Sequence, residues 1–266
     1  MHAPLTQPRR ANIVYPESDG KPMADNTLQF RWIVTLQGNI AGLLREQEIF
    51  VAGDLLWYPV EGFPEIVAAP DVLVAFGRPK GERRSYKQWE EDDIAPQVVF
   101  EVLSHTNTIK EMDKKFDFYE EYGVEEYYYY DPDTNHLRVY VRTADSLLPV
   151  RPPHNHVSPR LKIRFDLSGK EMVVFGPDGQ PFRTFDEIIS ERNREHQLRL
   201  DAEQQRDLAA QQRDLATQQR DLATQQRDLA TRRADRLAEL TSKVLSQQAT
   251  PAESQELQEL LKSPGS

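Results

Sequence analysis

Residues 97–123, QVVFEVLSHTNTIKEMDKKFDFYEEYG, decide the fold class. Gln97 to Leu103 is a β-branched and aromatic run broken only by Glu101, and it reads as a strand. From Thr108 the stretch reads as a helix, stopped by Gly123 in the position of a left-handed C-cap. Beyond it, EEYYYYD and HLRVYVR form a hairpin around Asp131-Pro-Asp-Thr-Asn135, and LKIRFDL and EMVVFGPDG supply further strands. On the other side lie strand-like segments EIFVA, DLLWYPV and DVLVAFG. Before them comes a helix through LQFRWIVTLQGNIAGLLRE, capped by Asp25 or Asn26, whose apolar residues Phe30, Ile33, Val34, Ile40, Leu43 and Leu44 should pack on a sheet. The order is helix, strands, helix, strands. Strict βαβ alternation is missing, so the expectation is an α+β domain with a mixed, largely antiparallel sheet flanked by helices.

Composition then divides the chain. All 24 aromatic residues lie at or before Phe185, and the segment from 191 to 266 has no glycine before Gly265. Such a segment cannot build a core. QQRDLAA at 204–210 is followed by QQRDLAT from 211, 218 and 225, a strict seven-residue repeat that aligns Leu208, Leu215, Leu222 and Leu229 in one stripe. The other seam position falls on glutamine, which makes a poor zipper. A weak coiled coil, giving a homo-oligomer through residues 190–246, and a single solvated helix both remain open. Thr184-Phe-Asp-Glu187 reads as a capping box, and a helix from there to about Gln247 would be roughly 90 Å long. The expected organisation is a domain over residues 1–183, a long helix over 184–247 and a short acidic helix or disordered tail over 248–266.

The net charge is −10 over 266 residues, and there is no cysteine. Disulfide frameworks, zinc ribbons and cysteine nucleophiles are excluded, and a metal would be held by carboxylates or by one of six histidines, with a hard, oxygen-loving ion as the default. No apolar run reaches the roughly 18 residues of a membrane span, and MHAPLTQPRR lacks an apolar signal core, so a soluble, cytoplasmic protein is expected. The tail is close to neutral, at −1, and the front carries −9.

Two front carboxylates stand in apolar surroundings. Asp71 follows Pro70 at the mouth of an otherwise apolar strand, and Glu101 sits inside VVFEVL. A carboxylate in such a strand is expensive to bury unless it is paired, hydrogen-bonded or bound to metal. Strand alternation puts Glu101 on one face with Val99 and Leu103, where a neighbouring strand could bring Asp71 beside it. Together they would make an oxygen-rich seat for Mg²⁺. Taken singly, each also has a structural explanation, as a turn after proline or as the partner of a nearby base. After the Asp71 strand, the loop RPKGERRSYK carries Arg78, Lys80, Arg83, Arg84 and Lys87. These could contact phosphates, or simply be balanced by the following EEDD at 90–93.

The series Pro70-Asp71, Glu101-Val-Leu-Ser104, Glu111 and Lys115 on a helix ending in Tyr119, and Gly123-Val-Glu-Glu-Tyr-Tyr strongly resembles a large bacterial family of putative restriction endonucleases within the PD-(D/E)xK nuclease superfamily. The resemblance covers roughly residues 13 to 190. It implies a restriction-endonuclease-like core, Asp71 and Glu101 as ligands of a divalent metal, and the backbone carbonyl of Val102 as a further donor. The place two residues after Glu101, where the superfamily's lysine stands, is Leu103. The resemblance moves that role to Lys115 on the following helix, with Lys114 as the alternative. The superfamily's first-helix acid has a candidate in Glu46, with Glu48 close by, and Asp54 is either a third acid near the site or a strand-start hydrogen-bonding residue.

The resulting expectation is a Mg²⁺- or Mn²⁺-dependent endonuclease that hydrolyses DNA phosphodiester bonds, with Asp71, Glu101 and Lys115 as catalytic residues. DNA contact should be local and metal-dependent, not spread along a basic face. The alternative is a non-catalytic nuclease-fold scaffold that recruits a partner through its C-terminal helix.

Overall fold

The computed structural model describes residues 13–262 apart from 19 and 21. The opening MHAPLTQPRR, two positions of the Ser-Asp-Gly-Lys-Pro turn and the last four residues of the expected tail lie outside the described residues. One compact unit runs to Ile189 and a second begins at Ser190.

In the first unit, helix α1 (Thr27–Leu43) begins at Asn26, whose side-chain oxygen accepts from the Gln29 N–H at 2.8 Å. A cap of this kind is worth about 1 kcal/mol. Its buried positions are Gln29, Trp32, Ile33, Leu36 and Ile40. Phe30 and Val34, read as core positions, are instead 48% and 36% exposed. The stripe that packs is 29, 33, 36 and 40, and Phe30 and Val34 each follow a stripe residue, about 100° further round the helix.

The strands are β1 (Ile49–Gly53), β2 (Trp57–Tyr58), β3 (Val72–Phe76), β4 (Tyr86–Lys87) and β5 (Val98–Val102), followed by helix α2 (Ile109–Glu121). After α2 come β6 (Glu126–Asp131), β7 (His136–Thr143), β8 (Ser146–Pro149), β9 (Arg164–Asp166) and β10 (Val173–Phe175). Six of them form one sheet in the order β1-β3-β5-β6-β7-β8. Every neighbouring pair is antiparallel except β5 and β6, which run parallel. A parallel pair needs a crossover, and α2 supplies it. DLLWYPV yields only the two residues of β2, which pair with β4. Proline at position 59 has no N–H to continue such a ladder.

Alternation sorts the sheet into two faces. Val98, Phe100 and Val102 join the core that contains Trp32, Ile33, Leu36 and Ile40 of α1. Val99 joins Tyr119, Val124 and Tyr127 in a second core. Helix α2 is fastened at both ends. Thr108 and Glu111 form a reciprocal capping box at its start. At its end the Arg142 guanidinium donates to the carbonyls of Tyr119 and Glu120 at 3.4 and 2.5 Å, and Gly123 turns the chain with φ +92°.

Helix α3 (Phe185–Leu245) opens on the Thr184–Glu187 box, with Thr184 N–H donating to Glu187 Oε2 at 2.8 Å and Glu187 N–H to Thr184 Oγ1 at 3.3 Å. In the second unit Leu208, Leu215 and Leu222 are each 56% exposed and Leu229 is 66% exposed. Of the expected tail over 248–266, residues 251–262 form a helix. Helix α3 ends at Leu245, close to the expected Gln247, and Pro251 opens helix α4 (Pro251–Lys262), at a first-turn position that needs no N–H donor. The acids of α4 pair with α3 bases, Glu256 with Arg236 and Glu253 with Lys243, both at 2.8 Å. Leu240 is buried. Among the described residues no helix is long and apolar enough to cross a membrane.

Candidate active site

The register of β3 on β5 pairs Val72 with Phe100 and Leu73 with Val99, so Asp71 continues the ladder opposite Glu101. Asp71 Oδ2 accepts from the Val102 N–H at 2.6 Å. Glu101 lies on the face of Val99, beneath α2, and is 3% exposed. Its two oxygens have different holders. Oε2 receives the Lys115 ammonium at 2.6 Å, and Oε1 receives the Tyr119 hydroxyl at 2.5 Å. Lys115 and Tyr119 are four apart on α2, the spacing that aligns side chains on one helix face. The same ammonium is 3.5 Å from the Ala69 carbonyl, just before β3.

Burial, and then the charge of Glu101, push the Asp71 carboxyl up to about 8. Burial alone would depress the Lys115 ammonium, but Glu101 and Asp71 outweigh it and hold its pKa above the usual value. The Tyr119 hydroxyl is raised well above its ordinary range, by burial first and Glu101 second. Two acids in one dry place are therefore held by one lysine, and the lysine stays charged because of them.

A cleft of about 660 Å³ opens beside this group. Asp25, Gln29, Asp54, Asp71, Lys114 and Lys115 are among its walls. Asp54 sits at φ +48° after β1, donates its N–H to the Asp71 carbonyl at 3.2 Å, and its charge helps raise Asp71. Glu46 and Glu48 do not reach the cleft. They follow the end of α1 and are exposed, with Glu46 paired to Arg45. The first-helix side chain that does arrive is Gln29. Its Nε2 donates to the Val102 carbonyl at 2.8 Å while its Oε1 accepts from the Asp25 N–H at 2.8 Å. Asp25 Oδ2 in turn accepts from the hydroxyls of Ser104 and Thr106. Sequence reasoning missed Gln29, and no local signal marks it, because its partner lies 73 residues away.

None of the five basic loop residues lines the cleft. Arg78 pairs with Asp92 at 2.6 Å, and Lys87 with Glu90 at 3.2 Å. Arg83 binds Glu91 through two nitrogens and lies over the Phe50 ring at 3.9 Å. Lys80 donates to the carbonyls of Leu44, Arg45 and Gln47, just past the end of α1. Arg84 pairs with Glu17 at 3.1 Å, with its side chain 82% exposed. Four of the five are thus engaged with the acids that follow them or with a helix end.

Among the described residues no cluster of three or more His, Cys, Asp or Glu side chains is arranged to hold a metal. The donor set here is two carboxylates with a backbone carbonyl beside them. That chemistry fits a hard cation, which keeps several waters of its own and needs only one or two carboxylates. A carboxyl raised to about 8 beside a second carboxylate is also the place where a divalent charge gives most relief. The Val102 carbonyl has one lone pair left after Gln29.

A family model described as Uma2, putative restriction endonuclease, matches residues 18–168. Among solved structures, a putative nuclease from Anabaena variabilis aligns with 16% identity and a TM-score of 0.36, over 52% of this chain and 74% of that one. No curated protein matches.

Proposed function

The chain belongs to the Uma2 family of putative restriction endonucleases, and from that premise we propose that it is a Mg²⁺- or Mn²⁺-dependent endonuclease acting on DNA. The observation that carries the reading is the 2.6 Å contact between Lys115 and Glu101, on a strand whose neighbour sets Asp71 opposite, beside an open cleft. Asp71 and Glu101 would hold the metal, with the Val102 carbonyl as a third protein donor. A bound divalent ion supplies Lewis acidity toward the scissile phosphate and makes water a better nucleophile.

The rest of the work falls to the chain. Tyr119 fixes the Glu101 carboxylate through Oε1, so the other oxygen keeps a set direction. Gln29 holds the Val102 carbonyl in place. Lys115 brings a positive charge to the side of the cleft where the phosphate's negative charge grows during hydrolysis. Water adds to phosphorus, the bond to the leaving oxygen breaks, and that oxygen takes up a proton.

The test is plasmid cleavage with Mg²⁺ or Mn²⁺ by the wild type and by Asp71→Ala, Glu101→Ala and Lys115→Ala. Loss of cleavage in the variants supports the assignment, and equal cleavage in all four sinks it. A second reading, a non-catalytic scaffold with this fold, draws support from the engaged basic loop and from the acids Asp25, Asp54, Asp71 and Glu111 around the cleft. Calorimetric titration separates the two, since a scaffold needs no Mg²⁺ binding that disappears with Asp71→Ala. For the tail we propose pairing between copies along the exposed Leu208–Leu229 stripe. An unchanged monomer mass in both the full chain and a truncation after Ser190 would rule this out.

A further inference from the structure

Resting on the metal-dependent reading above, the geometry points to an exchange at one atom: Lys115 and the divalent ion are alternative holders of Glu101 Oε2, so the ion enters only as the lysine leaves. Three observations lead there. Lys115 Nζ stands 2.6 Å from Oε2, a full ion pair with a carboxylate that is itself 3% exposed. The other oxygen faces the aromatic core. Oε1 takes the Tyr119 hydroxyl at 2.5 Å, and Tyr119 is wholly buried, its ring stacked on Trp57 with centroids 6.3 Å apart and set against Tyr127 at 5.1 Å. Finally, Asp71 has Oδ2 engaged with the Val102 N–H, so its Oδ1 and Glu101 Oε2 are the carboxylate oxygens that would hold the ion.

An ammonium and a divalent ion on the same buried oxygen repel strongly, because little solvent screens them. The lysine is able to go. Its side chain is 30% exposed while that of Glu101 is 3% exposed, and Lys115 itself lines the cleft. Release would therefore carry the ammonium toward the space a phosphate would enter, and not deeper into the fold. One residue thus serves two states, balancing the paired acids and then facing the substrate. Metal affinity is lowered by the same ion pair that neutralises the acids in the core, as for any ligand that must first displace an internal competitor.

The experiment compares Mg²⁺ binding by calorimetry at pH 9 for the full-length wild type and Lys115→Met. The expected result is binding about tenfold or more tighter in the variant. Tighter binding in Lys115→Met with none in the wild type would uphold the competition and overturn the metal-dependent nuclease reading. Equal or weaker binding in the variant would overturn the competition and leave that reading standing, and no binding by either overturns both. Should Lys115→Met fail to fold, the wild type carries the test through reductive ¹³C-dimethylation of its lysines. The Lys115 methyl resonance, assigned with Lys115→Arg, should shift on Mg²⁺ addition and saturate with the calorimetric Kd. Calorimetric binding without that shift overturns the exchange.

Discussion

Glu101 and Glu126 are both glutamates buried in neighbouring strands, 3% and 1% exposed, and they lie on opposite faces and toward opposite ends of the β5–β6 pair. Their surroundings differ in kind. Glu126 is held by uncharged donors, the Tyr128 hydroxyl at 2.7 Å, the Ser158 hydroxyl at 2.5 Å and the Arg160 N–H at 2.5 Å. These tie the segment around 158–160 to the sheet. Glu101 has one hydroxyl, one ammonium and a second carboxylate across the ladder. The comparison teaches that a buried carboxylate does not by itself mark a site. What distinguishes Glu101 is a second acid across the ladder and a single ammonium partner at the edge of a cleft.

Substitution at the two positions should separate these roles. Glu101→Gln should lower the rate of plasmid cleavage by about 10³-fold, because both the ion's seat and the lysine's anchor lose their charge. Glu126→Ala should leave cleavage per folded molecule unchanged but lower stability by about 3 kcal/mol in urea unfolding, since it strands two buried hydroxyls and a part-buried N–H. Loss of cleavage in the folded Glu126 variant would erase the distinction. The next effect is on pH. The Asp71 carboxyl, at about 8 in the fold against about 4 unfolded, keeps a proton that the unfolded chain has released. Its contribution to stability is therefore complete below pH 4 and declines as pH rises toward 8. Without added metal, stability of Asp71→Asn relative to wild type should rise across that window, and a flat difference would remove the charge conflict. The smallest change is expected from Tyr119→Phe, about 1 kcal/mol in stability for one lost hydrogen bond to Glu101.

Much of this was legible locally. A lone acid in VVFEVL announces itself because burying a charge is expensive, and Gly123, the Thr184–Glu187 box and the Asp131–Asn135 turn mark their elements by chemistry within a few residues. Other features were not legible, because their cause lies far along the chain. Gln29 looks like a solvated position of an amphipathic helix until β5 arrives with the Val102 carbonyl. Lys80 looks like loop charge, yet its ammonium meets carbonyls that follow α1, 33 to 36 residues earlier. Glu126 and Ser158 likewise meet only when the strands are assembled. A sequence shows where charge is, while the fold decides which charges are already answered.

The fastening of α2 at both ends carries a kinetic consequence. With the Thr108–Glu111 box at one end and Arg142 on the Tyr119 and Glu120 carbonyls at the other, the helix has little freedom to slide along the sheet. In the proposed exchange Lys115 would leave Glu101 by turning its own side-chain torsions. Rotamer changes in accessible side chains take picoseconds to nanoseconds, against microseconds to milliseconds for helix shifts. On the proposed exchange, the lysine's departure would thus need no movement of the helix, and would be fast beside any helix shift.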